Sequence, residues 1–147
     1  MKKQLIVMLA FVTFGMMSFN RTPTATVDDE PVAVVNFEKG TWQNTLDKAK
    51  KEDKLIFLEV YAEWCGYCKK LKRTTLVDAG VVNLLNSNYL NVEVDGEKGE
   101  GIEIAKKYNV KSYPALLLID GDGKVVKAEF GYLNPKSFQN FAAVTQK

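Results

Sequence analysis

A nearly unbroken apolar segment, Lys54 to Tyr61, leads directly into the only two cysteines of the 147-residue chain. A continuous apolar run of this length predicts a central strand that is buried on both faces. From Cys65 onward, Cys68 and Leu71 continue at the spacing of one helix face. This segment constrains the fold most, because it predicts a buried strand, a turn that carries a Cys-x-x-Cys, and a helix in direct succession.

The remaining segments predict a layered α/β domain. Asp120-Gly121-Asp122-Gly123 is a strong hairpin-turn signal, and Thr41 and Pro135 are typical helix starts. Parallel strands joined by crossover helices, and closed by an antiparallel hairpin, predict a three-layer sandwich with a mixed central sheet flanked by helices. The predicted order is β-α-β-α-β-α-β-β-α, with strands near 32–37, 54–61, 89–94, 115–119 and 125–130.

The first 20 residues predict a secretory signal peptide. Lys2 and Lys3 form a charged start, and an apolar run follows from residue 5 to residue 19. The run is short for a membrane-spanning helix, which needs about 20 residues, but an uncleaved anchor remains the alternative. Residues 21–31 predict a linker to a single domain at 32–147. We expect this domain in the periplasm or outside the cell, where oxidising conditions favour disulfides.

Composition narrows the chemistry that the chain can perform. It contains no histidine, which excludes histidine general bases, Cys-His nucleophile pairs and histidine metal ligands. Removal of residues 1–20 takes away two lysines and no acids, so the formal charge falls from +2 to 0. The chain has no basic stripe that would favour nucleic acid. Chemistry must come from cysteines, carboxylates, lysines, tyrosines or the backbone.

The dithiol is placed where a thiolate is stabilised. Cys65 at the start of a helix would meet unpaired backbone N–H groups and the positive end of the helix dipole. Such positions lower a cysteine pKa from about 8.5 to about 3.5–7.5, and Lys69 lies one turn further on. We expect Cys65 to attack a substrate disulfide and Cys68 to resolve the mixed disulfide.

Three other interpretations of the cysteine pair are weaker. A structural disulfide across three residues closes a very short loop and gains little. A zinc site would need further Cys or His ligands, which the sequence lacks. An inert buried pair does not fit the residues beside it, Trp64, Gly66 and Tyr67. Redox chemistry is therefore the favoured hypothesis, and no metal is expected.

Glu59 interrupts the apolar run five residues before Trp64. A carboxyl at this position is expected to point into the packed face of the sheet near Cys68. Desolvation there would raise its pKa and let it exchange the proton of Cys68. The alternative is an edge position, where Glu59 would meet solvent or a lysine.

Tyr113-Pro114 directly precedes the predicted strand at 115–119. A proline there suits a special turn, including a cis peptide bond. Spacing alone leaves an ordinary trans turn open, because only about 5–6% of X–Pro bonds in folded proteins are cis.

Together these residues resemble the thioredoxin superfamily. The stretch from Ala62 to Lys69 is very similar to the thioredoxin active-site sequence, with Tyr67 in place of proline. Glu59 lies where thioredoxins carry a buried aspartate, and 112–115 is similar to the loop with the cis-proline. Gly131 matches a recurrent glycine. The likeness covers about 32–145, and within the superfamily it is greatest to exported thioredoxin-related proteins such as the C-terminal domain of the periplasmic thiol:disulfide interchange reductase.

The resemblance implies a thioredoxin fold and a thiol-disulfide oxidoreductase that acts on protein disulfides, reductase-like and without a cofactor. It implies that Pro114 is cis and close to the dithiol. Trp64, Gly66, Tyr67 and Tyr113 would then border a site for an extended substrate peptide. Partners would be protein dithiols or disulfides and an unidentified redox partner.

Two features of the chain bear on what the resemblance implies. About a dozen residues separate the signal peptide from the first predicted strand, which leaves no dimerisation domain there and favours a monomer. Asn91 lies near where thioredoxin has a lysine that pairs with its buried aspartate. An isomerase, an oxidase, and a binding module in which the dithiol is incidental remain alternatives.

Overall fold

A computed structural model describes residues 34–144 of the chain. The predicted signal peptide, 1–20, and the predicted linker, 21–31, lie outside these residues. The described part contains α1 (Trp42–Glu52), β1 (Leu55–Tyr61), α2 (Gly66–Thr74), α3 (Ala79–Asn88), β2 (Tyr89–Asp95), α4 (Glu100–Lys107), β3 (Ala115–Ile119), β4 (Val125–Phe130) and α5 (Pro135–Ala142).

The four strands form one mixed sheet in the order β2-β1-β3-β4. β1 pairs with β2 in parallel and with β3 in antiparallel orientation, and β3 pairs with β4 as an antiparallel hairpin. The apolar run of β1 therefore lies inside the sheet, with a strand on each side, as its composition predicts. The predicted mixed sheet is confirmed.

Helices cover both faces of the sheet, which confirms the three-layer α/β architecture. Alternate residues of β1 point to opposite faces, with Phe57 on one and Leu58 on the other. One core joins the sheet to α2, α3 and α5 and includes Phe57, Leu71, Val81, Leu85, Leu116, Leu118, Phe138 and Phe141. The other joins it to α1 and α4 and includes Trp42, Leu46, Ala49, Leu58, Val60, Leu90, Ile104 and Leu117.

The predicted strand at 32–37 is wrong over its described part. Only Phe37 joins the sheet, through an isolated parallel bridge to Asn91. The Asn86 side chain accepts the N–H of Asn36 at 2.8 Å and donates to the carbonyl oxygen two residues earlier at 2.9 Å. These backbone groups are thus bonded to a side chain of α3, where a strand would bond them to a neighbouring strand.

Helix starts follow the capping rules. Thr41, Asp78 and Asn134 each accept the backbone N–H of the residue three positions later through a side-chain oxygen. Cys65 caps α2 in the same geometry, but its acceptor is a sulfur, which lies 3.0 Å from the nitrogen of Cys68. The same N-capping geometry that begins the other three helices therefore places a cysteine sulfur at the N-terminus of α2.

No helix within 34–144 combines the length and the apolar character that crossing a membrane requires.

Candidate active site

Cys65 and Cys68 are joined by a disulfide bond, with their Cα atoms 5.3 Å apart. Cys65 is the N-cap of α2 and Cys68 lies in its first turn, as the sequence predicts. Both side chains are buried, and they pack together with Ala62, Tyr61 and Tyr113. The pair is therefore held where the N–H groups of α2 would stabilise a Cys65 thiolate once the bond is reduced.

Large exposed side chains flank the buried disulfide. Trp64 is 69% exposed and Tyr67 is 64% exposed, although both are apolar ring systems. The Trp64 ring meets the Tyr113 ring edge-on, with centroids 6.0 Å apart. A Cβ added to Gly66 would have no atom within 4 Å, so the space in front of it is open. An exposed aromatic surface around a buried sulfur is the kind of surface that binds a partner.

The Tyr113–Pro114 peptide bond is cis, as the resemblance implied. The antiparallel register sets Ala115 opposite Val60 and so carries this turn to the end of β1 that leads into Cys65. The Pro114 carbonyl accepts the N–H of Gly131 at 2.7 Å. The structure thus brings Tyr113, the neighbour of Pro114, against the dithiol from a distant part of the sequence.

Glu59 lies in the middle of β1 and is fully buried. Neither of its carboxyl oxygens has a hydrogen-bond partner among the described residues. Burial raises the pKa of Glu59 from 4.5 to about 7; the positive charge of Lys72 lowers this pKa and the negative charge of Glu93 raises it. Glu59 is therefore desolvated, as the sequence predicts. It does not lie at an edge of the sheet, which was the alternative.

Lys72 and Glu93 are residues near Glu59 that sequence reasoning missed. Nζ of Lys72 lies 2.5 Å from Oε2 of Glu93 and 3.8 Å from the centroid of the Tyr61 ring. Lys72 follows Cys68 by four positions, so the two share one face of α2, and this spacing was a signal available in the sequence. Asn91 has a different role, because its amide donates to the carbonyl of Asn36.

The loop between β2 and α4 contacts the residues around the disulfide. Glu97 accepts a hydrogen bond from Nε1 of Trp64 at 3.0 Å, and Lys98 pairs with Glu63 at 2.5 Å. A Cβ added to Gly96 would lie 2.7 Å from Oη of Tyr113. These contacts join residues far apart in sequence, and the motifs around Cys65 give no signal for them.

No group of three or more Cys, Asp or Glu side chains within 34–144 is arranged to hold a metal ion. Both cysteines are consumed by the disulfide in this state. A Cys65–Cys68 disulfide at the start of a helix is suited to thiol-disulfide exchange.

The mixed sheet between two layers of helices, with a Cys-x-x-Cys disulfide at a helix N-terminus, is the architecture of thioredoxin-like proteins. Residues 42–144 match the family model described as a thioredoxin-like domain. The chain belongs to this family, and the membership inferred from its sequence is confirmed.

Curated relatives are larger proteins of thiol-disulfide exchange. The thiol:disulfide interchange protein DsbD of Yersinia pestis is 31% identical over 105 residues, which are 67% of this chain and 18% of that protein. The protein disulfide-isomerase of Datisca glomerata is 27% identical over 120 residues, which are 82% of this chain and 23% of that protein. The chain spans about a fifth of the length of these relatives.

Solved structures match at the level of a whole domain. A proposed disulphide-isomerase from Bacteroides thetaiotaomicron is similar with a TM-score of 0.65 and 35% identity, over 74% of this chain and 91% of that chain. The oxidised C-terminal domain of DsbD from Neisseria meningitidis has a TM-score of 0.58 and 23% identity, over 73% of this chain and 95% of that chain. The second likeness shows a shared fold.

Proposed function

We propose that this protein reduces disulfides in other proteins through its Cys65–Cys68 dithiol. The observation that carries the proposal is a disulfide whose Cys65 is the N-cap of α2, with the exposed side chains of Trp64 and Tyr67 beside it. In that position a reduced Cys65 is the stabilised thiolate, and Cys68 lies within bonding distance behind it.

Catalysis begins when the Cys65 thiolate attacks one sulfur of a substrate disulfide. A mixed disulfide forms, and the other substrate sulfur leaves as a thiolate that takes a proton from water. The Cys68 thiol then gives its proton to the Glu59 carboxylate, and its sulfur attacks Sγ of Cys65. The Cys65–Cys68 disulfide forms, the second substrate thiolate leaves, and two electrons have passed to the substrate.

Substrate would bind as an extended peptide across the aromatic surface. Trp64, Tyr67 and Tyr113 supply apolar contacts, and backbone beside Pro114 would pair with the peptide backbone. The space in front of Gly66, the residue after Cys65, is open. Backbone pairing recognises any extended chain, so this arrangement suits many protein substrates.

We also propose that residues 1–20 export the chain and that 32–147 acts as a monomer in the periplasm or outside the cell. The charged and apolar pattern of 1–20 supports export, and the likeness to interchange protein DsbD fits it. In an oxidising compartment the dithiol needs an external electron donor, which would be a second redox protein. Analytical ultracentrifugation of the chain without its first 20 residues tests the monomer.

The decisive experiment is reduction of insulin disulfides with dithiothreitol as the electron source. Wild-type protein should accelerate it, and Cys65→Ser should lose the acceleration because the attacking thiolate is gone. Cys68→Ser should instead accumulate mixed disulfides with its substrates, because resolution is blocked. Full activity of Cys65→Ser would overturn the proposal, and equal partner capture after both cysteines become serine would favour a binding module.

Disulfide isomerisation is the second candidate, supported by relatives named as disulfide-isomerases. An isomerase releases a rearranged substrate before its second cysteine resolves the complex. Refolding of scrambled ribonuclease, compared with insulin reduction in the same preparation, separates the two activities. The reduction potential of the Cys65–Cys68 pair adds the direction of electron flow, because reductases and oxidases of this chemistry differ by about 150 mV.

A further inference from the structure

We propose that Lys72 and Glu93 are positioning residues that control when the buried Glu59 carboxyl holds a proton. The inference deepens the proposed function, and it rests on the role given there to Glu59. Both residues act on the dithiol through Glu59.

The three side chains are brought together by strand register and helix spacing. Glu59 and Glu93 are directly paired across β1 and β2, so their side chains leave the sheet on the same face. That face is covered by α2, since Leu71 packs against Phe57. Lys72 follows Leu71 and lies one helical turn beyond Cys68, so α2 presents a thiol and an ammonium group on its sheet-facing side.

The charged neighbours of Glu59 are few and of opposite sign. α2 contributes the ammonium group of Lys72, and β2 contributes the carboxylate of Glu93. β3 contributes the apolar Leu116 opposite Glu59, and β1 itself adds the Tyr61 phenol two residues on. The phenols of Tyr89 and Tyr132 belong to the core on this face, and reduction of the site adds the Cys68 thiol as a further titratable group.

Lys72 is held in place from two sides. Its ion pair with Glu93 joins it to β2, and its contact with the Tyr61 ring joins it to β1. Partial burial opposes a charge on Lys72, but the hydrogen bond to Glu93 and the charges of Glu59 and Glu93 outweigh it, so the pKa of Lys72 lies above its ordinary value. Lys72 is therefore a fixed positive charge throughout the pH range in which Glu59 titrates.

The arrangement gives each partner of one ion pair an opposite effect on Glu59. Lys72 favours the carboxylate, which is the form that accepts the proton of Cys68. Glu93 disfavours the carboxylate directly, and it also draws the ammonium group toward itself. Between them they balance the two forms of the Glu59 carboxyl, so that it can both take up and give back the proton of Cys68.

The test is a ¹³C NMR titration of the Glu59 carboxyl in the oxidised full chain. Lys72→Met should shift the titration midpoint to higher pH, because the favourable charge is lost. Glu93→Gln should shift it to lower pH, because the repulsion is lost and Lys72 is released from its partner. Lys72→Arg keeps the positive charge and should leave the titration midpoint near that of wild type. Lys50→Met is the matched control, since it breaks an ion pair with Asp122 at the far end of the sheet.

Opposite shifts in the two variants support the proposal, because simple loosening of the fold would move the midpoint the same way in both. Shifts in one direction, or no shift, would overturn it. The role of Glu59 is tested separately by the pH dependence of Cys68 attack on a Cys65–glutathione mixed disulfide. If Glu59→Gln leaves that dependence unchanged, the proposed proton transfer fails, while the NMR result still decides the part played by Lys72 and Glu93.

Discussion

Glu59 shows how one residue can oppose stability for the sake of chemistry. It is fully buried in β1, and its oxygens have no hydrogen-bond partner within the described residues. Burial makes the charged form costly, which is why its pKa is raised to about 7. The folded protein thus holds a proton on Glu59 between pH 4.5 and about 7, where the unfolded chain has released it.

Stability should therefore fall as pH rises through this window. A pKa raised from 4.5 to about 7 corresponds to about 3 kcal/mol, present in full below pH 4.5 and lost above pH 7. We predict that Glu59→Gln, which cannot ionise, is more stable than wild type at pH 8 and gains about 3 kcal/mol relative to it between pH 4 and pH 8. Urea unfolding of the oxidised proteins at a series of pH values measures this difference.

Glu63→Gln is the matched control for that series. Glu63 is exposed and pairs with Lys98, and exposed ion pairs contribute about 0–1 kcal/mol. Its stability relative to wild type should change little across the same range. Parallel pH profiles for wild type and Glu59→Gln would contradict the proposed cost of burying this carboxyl.

Among the elements, the loop between β2 and α4 packs closely against Tyr113 of the site. A methyl group on Gly96 would lie 2.7–2.9 Å from Oη and Cε1 of Tyr113 and Cγ1 of Val60. We predict that Gly96→Ala costs about 1–3 kcal/mol of stability and raises KM for insulin reduction, because the Tyr113 ring must move away from Trp64. Steady-state kinetics and urea unfolding measure the two effects.

Gly99→Ala in the same loop separates packing from backbone strain. Gly99 has a φ of +53° and no atom within 4 Å of an added Cβ. This variant should lose about 1–3 kcal/mol, because a residue with a Cβ rarely adopts the positive φ of Gly99, yet it should keep the KM of wild type. An equal rise of KM in both variants would show that loop strain, rather than contact with Tyr113, alters substrate binding.

Sequence reasoning succeeded for the elements that local patterns specify. The β1 run, the hairpin and the capped helices at Thr41 and Pro135 all obey rules that act within a few residues. The strand predicted at 32–37 failed because Asn86, some 50 positions away, bonds its backbone. When a side chain so far along the chain takes the backbone hydrogen bonds that a neighbouring strand would take, the local sequence carries no signal of it.

The same limit applies to the site. The positions of Cys65 and Cys68 at a helix start and the burial of Glu59 follow from spacing and hydrophobic pattern. Glu93 and Glu97 do not, because they approach the site only through the β1–β2 register and the fold of a loop. Long-range register depends on the whole sheet and cannot be obtained from a motif.

For the whole molecule, the oxidation state should govern stability. The disulfide joins cysteines three positions apart, and closing so short a loop stabilises by about 2 kcal/mol in the chain-entropy model, which is the low end for disulfides. A stabilised Cys65 thiolate acts in the opposite direction by favouring the reduced form. Strong oxidants owe their potential to a stabilised reduced form, so the balance of these effects reports the direction of electron flow.

We predict that the oxidised protein is the more stable form, by about 1–2 kcal/mol, as a reductase requires. Urea unfolding of oxidised and dithiothreitol-reduced protein at pH 7 gives the difference. The double variant Cys65→Ser/Cys68→Ser lacks the disulfide. Its free energy of unfolding should equal that of the reduced protein if no thiolate stabilises the reduced form. A reduced protein that is more stable than the oxidised one would contradict the proposed direction and favour an oxidase.

The positions of the two tryptophans have a practical consequence. Trp64 directly precedes the disulfide and is exposed, whereas Trp42 is buried on the α1 side of the sheet against Tyr108. A disulfide quenches the fluorescence of a neighbouring indole, and a dithiol does so much less. Emission from Trp64 should therefore rise on reduction while that of Trp42 stays constant. The molecule carries its own optical indicator of redox state, together with an internal reference.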